Sequence, residues 1–245
     1  MIYITDKRQD LYFEQIFRCA RKAKLVEPET GLLHIGHGTM NGKDGKPFKT
    51  RTGGVMRLEV LMQEINDEMY RKIEESRGEM DEEAKETAKT VALSAIKYGD
   101  LSNQASKDYV FDIDKFTSFE GDTGPYILYT IVRIKSILNK VKEQGSLPEE
   151  LMIREAGSAS EKALMLQIAG FNAMMETAYE ETAPHKVCAY IYDLANAFNR
   201  FYHETRIVSE EDPDKKAGWV ALLMLSTDIL ETCIDVLGFS APERM

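Results

Sequence analysis

The sequence predicts a mainly α-helical fold in which a helical bundle follows a truncated α/β segment. The first observation is a change of pattern near residue 58. Before it, short β-branched and aromatic runs flank one amphipathic stretch, whereas after it apolar residues recur at helical spacing almost to the end. The second observation is that prolines mark the ends of helix-length segments in this later part. These are Pro148, Pro184, Pro213 and Pro242. We therefore expect an α/β domain over residues 1–57 and a helical region over residues 58–245.

The sequence of the α/β part predicts a strand, a helix, a second strand and a loop, in that order. Residues 2–5 (IYIT) and 32–35 (LLHI) are short apolar runs typical of strands. Between them, residues 10–24 carry apolar side chains at helical spacing. A parallel sheet of so few strands would expose its faces and both edges to water. We therefore expect these residues to be the end of a larger α/β domain whose beginning lies outside this chain.

The apolar pattern of the helical part predicts an antiparallel bundle, whose core we expect at about residues 120–245. An apolar stripe begins at Leu58 and continues through Ile65 to Ile73, with charged residues between its members. Residues 108–124 are rich in Asp, Thr and Gly and are expected to be irregular. Further helices are predicted at residues 82–98, 125–143, 159–181, 185–206 and 216–237.

Composition excludes several classes of protein. The net charge of −10 argues against a sequence-independent nucleic-acid coat, although it permits a local basic face. No run approaches the ~18 uncharged apolar residues of a transmembrane helix, and the N-terminus has no apolar signal region. Cys19, Cys188 and Cys233 lie far apart and are expected to be buried free thiols rather than metal ligands. The sequence thus predicts a cytoplasmic protein without a membrane partner.

The segment at residues 42–51, GKDGKPFKTR, is the most distinctive in the chain. It combines four cations and one anion with two glycines and a proline, which gives little helix propensity and indicates a mobile cationic loop. Such a loop can close over the charge that develops on a polyphosphate during phosphoryl or nucleotidyl transfer. The alternative interpretation is a solvated lysine-rich hairpin, and the composition alone leaves both open.

Residues 34–37 spell HIGH, the signature with which class I aminoacyl-tRNA synthetases bind ATP at the start of a helix. Here the four residues end a predicted strand, and Gly38 and a loop follow, so no helix N-terminus is available for a phosphate. We interpret the match as coincidental. His34 and His37 are instead expected at the end of the strand, facing the loop.

Other segments carry a more specific resemblance. Residues 2–17 (IYITDKRQDLYFEQIF), 38–64 (GTMNGKDGKPFKTRTGGVMRLEVLMQE) and 108–138 (DYVFDIDKFTSFEGDTGPYILYTIVRIKSIL) resemble the C-terminal half of bacterial-type arginyl-tRNA synthetases. The helix YIYDLANAFNRFYHE at 190–204 and the ending GFSAPERM at 238–245 are similar to that family's anticodon-binding domain and C-terminus. Tyr12 stands where the family usually has His.

The resemblance implies a fold and a reaction. Residues 1–57 would be the end of a Rossmann-type catalytic domain, and the rest would lead into the anticodon-binding bundle. The family joins arginine and ATP into an adenylate and then transfers arginine to its tRNA, generally with tRNA bound for the first step. Because the genuine HIGH motif and most arginine contacts would lie in the absent N-terminal half, we expect the chain alone to be inactive.

The resemblance also implies site residues in the α/β part. The loop corresponds to the family's degenerate KMSK loop, so Lys46, Lys49, Thr50 and Arg51 would act in catalysis, with Lys43 also near ATP. Asp6 and Gln9 would lie near the substrate arginine, where a neutral amide can accept hydrogen bonds from a guanidinium. The alternative for Gln9 is a surface residue at a helix N-terminus, and the alternative for Asp6 is an N-cap.

The implied partners are arginine, ATP and the tRNA for arginine. Mg²⁺ would arrive with ATP rather than on protein ligands, and the protein is expected to be monomeric. The helical domain would contact the anticodon stem and loop through cations on phosphates and aromatic faces on bases. The candidates are Arg133, Lys135, Lys140, Arg200, Tyr202, Arg206, Arg244 and Met245. Each cation taken singly is also compatible with a solvated helix face.

Two functions remain at this stage. The first is part of an arginine–tRNA ligase that supplies the ATP loop and the anticodon-binding domain. The second is a stand-alone tRNA-binding helical module without catalytic activity. The incomplete sheet favours the first.

Overall fold

The computed structural model describes residues 1–46, 57–78, 81–145 and 151–245. The chain divides into two compact units. The first unit combines Met1–Arg57 with Asn103–Asp112, and the second combines Leu58–Ser102 with Ile113–Met245. Residues 103–112 were predicted to belong to the helical region, but they lie in the first unit because Tyr109–Val110 pairs with a strand there.

The first unit is built on the predicted strand–helix–strand motif. Strand β1 (Ile2–Asp6) leads through a 3₁₀ turn (Lys7–Gln9) into helix α1 (Asp10–Lys22), and strand β2 (Leu33–His37) returns parallel to β1. A second parallel pair joins β3 (Met40–Asn41) to β4 (Tyr109–Val110). Sequence patterns missed this pair because two residues are too few to show a period.

Very little of the first unit is buried. Helix α1 packs Phe13 and Phe17 against Tyr3 at ring-centroid distances of 5.3 and 5.4 Å. On the other hand, Ile2 is 59% and Ile4 is 67% exposed. Among the described residues of this unit, Phe111 is the one in the buried class. Such limited burial of apolar surface is far less than an independent domain of this size requires.

All the secondary-structure elements described in the second unit are helices. Its helices are α2 (Leu58–Arg77), α3 (Glu82–Leu101), the single-turn α4 (Ile113–Phe116), α5 (Gly124–Glu143), α6 (Ala159–Ala169), α7 (Phe171–Glu180), α8 (Pro184–Glu204) and α9 (Pro213–Val236). The prediction of a single helix over 159–181 is wrong in one respect. The segment forms two helices, α6 and α7, which are separated at Gly170, a residue of low helix propensity. The segment predicted to be irregular also contains β4 and α4.

Side-chain caps fix where several helices begin. The Asp81 carboxylate accepts a hydrogen bond from the Ala84 amide at 2.7 Å, and the Thr123 hydroxyl accepts one from Tyr126 at 3.2 Å. The Ser158 hydroxyl does the same for Glu161 at 3.1 Å. Each cap satisfies an amide that has no partner within its helix.

The core of the second unit lies among α3, α5, α8 and α9. Tyr98, Ile131, Phe198 and Phe201 are completely or almost completely buried there. Helix α9 is long and apolar enough to cross a membrane by length and composition, but 67% of its most apolar window is buried inside the protein. Its apolar character is therefore accounted for by packing in this core.

Candidate functional site

The cationic loop begins with a tight turn over residues 42–46. The Gly42 amide donates to the Lys46 carbonyl at 2.8 Å, and Gly45 closes the turn with a φ of +71°, a value that favours glycine. The Lys43 ammonium lies 2.9 Å from an Asp112 carboxylate oxygen, whereas the Lys46 side chain is exposed. Lys49, Thr50 and Arg51, the other predicted site residues of this loop, lie outside the described residues.

Asp6 and Gln9 lie at the junction between β1 and α1. The Arg8 amide and guanidinium donate three hydrogen bonds to the Asp6 carboxylate, at 2.7 to 2.9 Å. The side-chain and backbone hydrogen bonds from Arg8 hold the pKa of Asp6 well below its usual range. Asp6 is thus the N-cap of the 3₁₀ turn as well as one half of an ion pair. Gln9 is exposed immediately before α1.

His34 occupies a packed position rather than facing the loop, so the prediction for its side chain is wrong. Its ring stacks on Phe13 with centroids 4.4 Å apart and planes 8° apart, and the side chain is 8% exposed. Its Nε2 lies 2.8 Å from the Thr5 hydroxyl and its Nδ1 lies 3.0 Å from an Asp10 carboxylate oxygen. His37, at the end of β2, is exposed.

A second group of candidate residues lies where α5 meets α8. The Arg133 guanidinium stands 4.6 Å from the ring centroid of Tyr129 and 5.9 Å from that of Tyr202. It donates to the Asn199 side-chain oxygen at 2.6 Å, and the Asn199 amide donates to the Tyr126 hydroxyl at 2.9 Å. We call Tyr126, Tyr129, Arg133, Asn199 and Tyr202 the aromatic–arginine cluster.

The cluster holds a fixed cation between aromatic rings at a partly exposed surface. Arg133 and Tyr202 are half-buried, and Tyr129 is exposed. A guanidinium can bind a phosphate or the edge of a base, and the rings offer faces on which an unpaired base can stack. Arg133 and Tyr202 were predicted from the sequence, whereas Asn199 was not. The available signal was its position three residues before Tyr202, on the same helix face.

The remaining predicted cations have different surroundings. Lys140 lies seven residues after Arg133 and therefore on the same face of α5. Lys135 lies on another face, where its ammonium is 2.8 Å from Glu231 and 3.2 Å from Glu243. Burial by itself would lower the pKa of Lys135, but the hydrogen bonds to both glutamates outweigh it and raise the pKa. Arg200, Arg206 and Arg244 are exposed, and Met245 is half-buried.

The cysteines divide into two kinds. Cys188 and Cys233 are buried as predicted, whereas Cys19 is exposed on α1, so the prediction of a buried thiol there is wrong. Burial raises the pKa of both buried thiols, that of Cys233 to about 12. Within the described ranges, no group of three or more His, Cys, Asp or Glu side chains is placed to hold a metal ion.

Known protein families match both parts of the chain. Residues 1–113 match the catalytic domain of class I tRNA synthetases of the arginine (R) type, and residues 127–245 match the DALR anticodon binding domain. The α/β motif and the helical bundle therefore define a segment of a class I aminoacyl-tRNA synthetase. The match over residues 1–113 does not favour a stand-alone helical module.

Similar proteins narrow the class to one family. The chain is 64% identical to the arginine–tRNA ligase of Agathobacter rectalis and 53% identical to that of Alkaliphilus oremlandii. Each match covers the whole chain and 42% of the relative. The structure is similar to that of Thermus thermophilus arginyl-tRNA synthetase, with a TM-score of 0.84 and 25% identity over the whole chain and 41% of that protein. The chain belongs to the arginyl-tRNA synthetase family and spans about 42% of the length of these curated relatives.

Proposed function

We propose that this chain supplies the ATP-handling loop and the anticodon-binding domain of an arginine–tRNA ligase. The aromatic–arginine cluster is the observation that carries the proposal. It places a cation and aromatic faces together on the part of the chain that matches an anticodon binding domain. The partners are the tRNA for arginine, arginine and ATP, and Mg²⁺ enters with ATP.

The loop is proposed to bind the phosphates of ATP. Lys46 has an exposed side chain and lies in a glycine-containing turn, an arrangement that leaves its ammonium accessible to an anion. Lys43, Lys49 and Arg51 add positive charge, and Thr50 adds a hydroxyl donor. These donors would stabilise the negative charge that shifts onto pyrophosphate as the adenylate forms.

The β1–α1 junction is proposed to lie near the substrate arginine. Gln9 is exposed there, and its amide oxygen can accept a hydrogen bond from a guanidinium without the cost of desolvating a charge. Asp6 already binds a guanidinium, that of Arg8, so its role would be to orient the junction as well as to provide negative charge. Both residues act in the whole enzyme.

The second unit is proposed to bind the anticodon stem and loop. Tyr202 would stack on an unpaired base, while Arg133 would bind a base edge or a phosphate beside it. Lys140, Arg200, Arg206 and Arg244 would contact phosphates, and Met245 would contribute an apolar contact. With a net charge of −10, few phosphate contacts are expected, so stacking would carry much of the selectivity.

Titration of the anticodon stem-loop of the arginine tRNA against this chain, at several salt concentrations, tests the proposal. Tyr202→Ala should weaken binding while leaving the salt dependence almost unchanged. Arg200→Ala or Arg206→Ala should reduce the slope of log K against log salt by about 0.7 for each phosphate that is no longer neutralised. Tyr179→Ala is a matched control because Tyr179 is 86% exposed on α7, outside the cluster. Binding that ignores the anticodon sequence would contradict the proposal.

We further propose that the protein is cytoplasmic and monomeric and has no membrane partner. The support is membership of a family of soluble synthetases, together with the burial of α9 in the core. Sedimentation of the purified chain over a range of concentrations measures the oligomeric state, and a mass that rises with concentration would contradict the monomer.

A further inference from the structure

The last eight residues of the chain, 238–245, form a C-terminal segment that two lysines hold at different points. Gly238 follows α9 with a φ of +83°, and the Phe239 amide donates to the Ile234 carbonyl at 3.0 Å. The Lys97 ammonium, on α3, donates to the Gly238 carbonyl at 2.6 Å. Phe239 is buried, so the beginning of the segment is firmly packed.

The later part of the C-terminal segment is held differently. Its residues 240–245 are half-buried or exposed and contain no helix or strand. Here the Lys135 ammonium lies between Glu231, on α9, and Glu243, in the segment, at 2.8 and 3.2 Å. Glu243 directly precedes Arg244 and Met245.

The surroundings of Lys135 do not suit a direct contact with RNA. Its side chain is 21% exposed, and its charge is already opposed by two carboxylates. An approaching phosphate would meet the negative charges of Glu231 and Glu243 beside the ammonium. Arg133 lies on a different face of α5, where its guanidinium donates to the neutral Asn199 side chain and to the Tyr129 hydroxyl.

We propose that Lys135 is a positioning residue for tRNA binding: its bridge between Glu231 and Glu243 holds the C-terminal segment so that Arg244 and Met245 are presented to the anticodon loop. This rests on the proposed function, in which those two residues contact tRNA. Lys135 acts through the segment and makes no phosphate contact of its own.

The first test needs no RNA and uses all 245 residues of this chain. Carboxypeptidase should release Met245 and Arg244 about two- to fivefold faster from Lys135→Met than from the unaltered protein, the range expected for loss of a partly exposed ion pair. Lys135→Arg should restore the slow rate, because it keeps the charge. Lys142→Met is the control, an exposed lysine on the same helix. Equal release rates for Lys135→Met and the unaltered chain would overturn the proposal.

The second test separates positioning from direct contact. Lys135→Met should weaken binding of the anticodon stem-loop and lower its salt slope by no more than deletion of residues 244–245 does, and it should add almost nothing to the effect of that deletion. A further fall of the slope by about 0.7 when Lys135→Met is introduced into the chain that lacks residues 244–245 would show a phosphate contact made by Lys135 itself and overturn the inference. If the unaltered chain fails to bind the stem-loop, the proposed function fails, while the carboxypeptidase result still decides whether Lys135 holds the segment.

Discussion

Arg8 illustrates how the local partner of a side chain determines what that side chain can do. Its three hydrogen bonds to Asp6 hold the pKa of that carboxylate below its usual range. A lowered pKa contributes to stability above the ordinary value for Asp, and the contribution disappears as the pH falls towards the lowered value. The sequence identified Asp6 as a candidate contact for the substrate arginine or as a helix N-cap, but it could not show that Arg8 would form an ion pair with the Asp6 carboxylate.

Thiol reactivity is the first prediction at the residue scale. In the native chain, a thiol reagent at pH 8 should modify Cys19 and leave Cys188 and Cys233 unmodified, because the two buried thiols have raised pKa values and no access to solvent. Mass spectrometry should therefore show one label on the native protein and three in denaturant. Cys19→Ser is the control and should abolish native labelling. Rapid native labelling of either buried cysteine would contradict the burial.

The two histidines of residues 34–37 should behave differently from each other. His34→Ala removes a ring stacked on Phe13 and two polar contacts, so hydrogen exchange of β1 and β2 amides should quicken by about tenfold or more. His37→Ala should leave exchange almost unchanged, because that side chain is exposed. Equal effects of the two substitutions would contradict the packing of His34.

The same histidines test the interpretation of HIGH as coincidental. In a full-length enzyme bearing this sequence, neither His34→Ala nor His37→Ala should reduce turnover as much as Lys49→Ala combined with Arg51→Ala. Loss of one donor that stabilises transition-state charge typically costs about 10²- to 10³-fold. Steady-state arginylation at a temperature where every variant stays folded measures the difference, and a greater loss in the histidine variants would show that the interpretation is wrong.

At the scale of elements, the helices were predictable because their apolar stripes extend over several turns. Helix α8 was predicted as 185–206 and is Pro184–Glu204, and α5 was predicted as 125–143 and is Gly124–Glu143. Features of one or two residues escaped prediction, namely the β3–β4 pairing and the interruption at Gly170. Such features depend on contacts between distant residues or on one local break, and neither produces a repeating pattern.

Gly124 provides an element-scale prediction at the crossing of α3 and α5. A Cβ added there would lie 2.3 Å from the Ser94 carbonyl oxygen, which belongs to the backbone of α3 and cannot move aside on its own. Gly124→Ala should therefore destabilise the second unit by about 1–3 kcal/mol. Gly157→Ala is the control, since its nearest contact would be a side-chain atom of Glu161 at 3.5 Å. Urea unfolding followed by circular dichroism compares the two, and equal midpoints would contradict a tight crossing.

At the scale of the whole molecule, the two units differ in how much core they possess. The second unit buries aromatic and aliphatic side chains from several long helices, whereas the first leaves both isoleucines of β1 exposed. The sequence anticipated an incomplete sheet from the number of strands alone, and the chain matches only about 42% of its relatives. The position of the aromatic–arginine cluster was less predictable, since it joins residues about 70 positions apart.

Helix α2 determines where a fragment that folds on its own should begin. Leu61, Ile65, Met69 and Ile73 of α2 are all buried. A fragment of residues 58–245 should therefore unfold cooperatively and bind the anticodon stem-loop as tightly as the whole chain. A fragment of residues 80–245 lacks this apolar layer, and it should have a lower melting temperature and bind more weakly. Equal melting temperatures for the two fragments would show that α2 contributes little to the second unit.

Catalysis is expected to require more than this chain contains. The chain carries the loop and the β1–α1 junction, but the described residues of its catalytic part form one pair of longer strands and a largely exposed apolar sheet. An ATP and arginine site needs further walls to fix both substrates in reacting geometry.

The purified chain should consequently show no arginine-dependent exchange of pyrophosphate into ATP, with or without tRNA. Addition of the polypeptide that corresponds to the remaining 58% or so of a relative should restore exchange, because it would cover the exposed sheet and complete the site. Lys46→Ala in the chain should then lower the restored rate, whereas Lys162→Ala, an exposed lysine on α6, should leave it unchanged. Exchange by the chain alone would show that the site is already complete within these 245 residues.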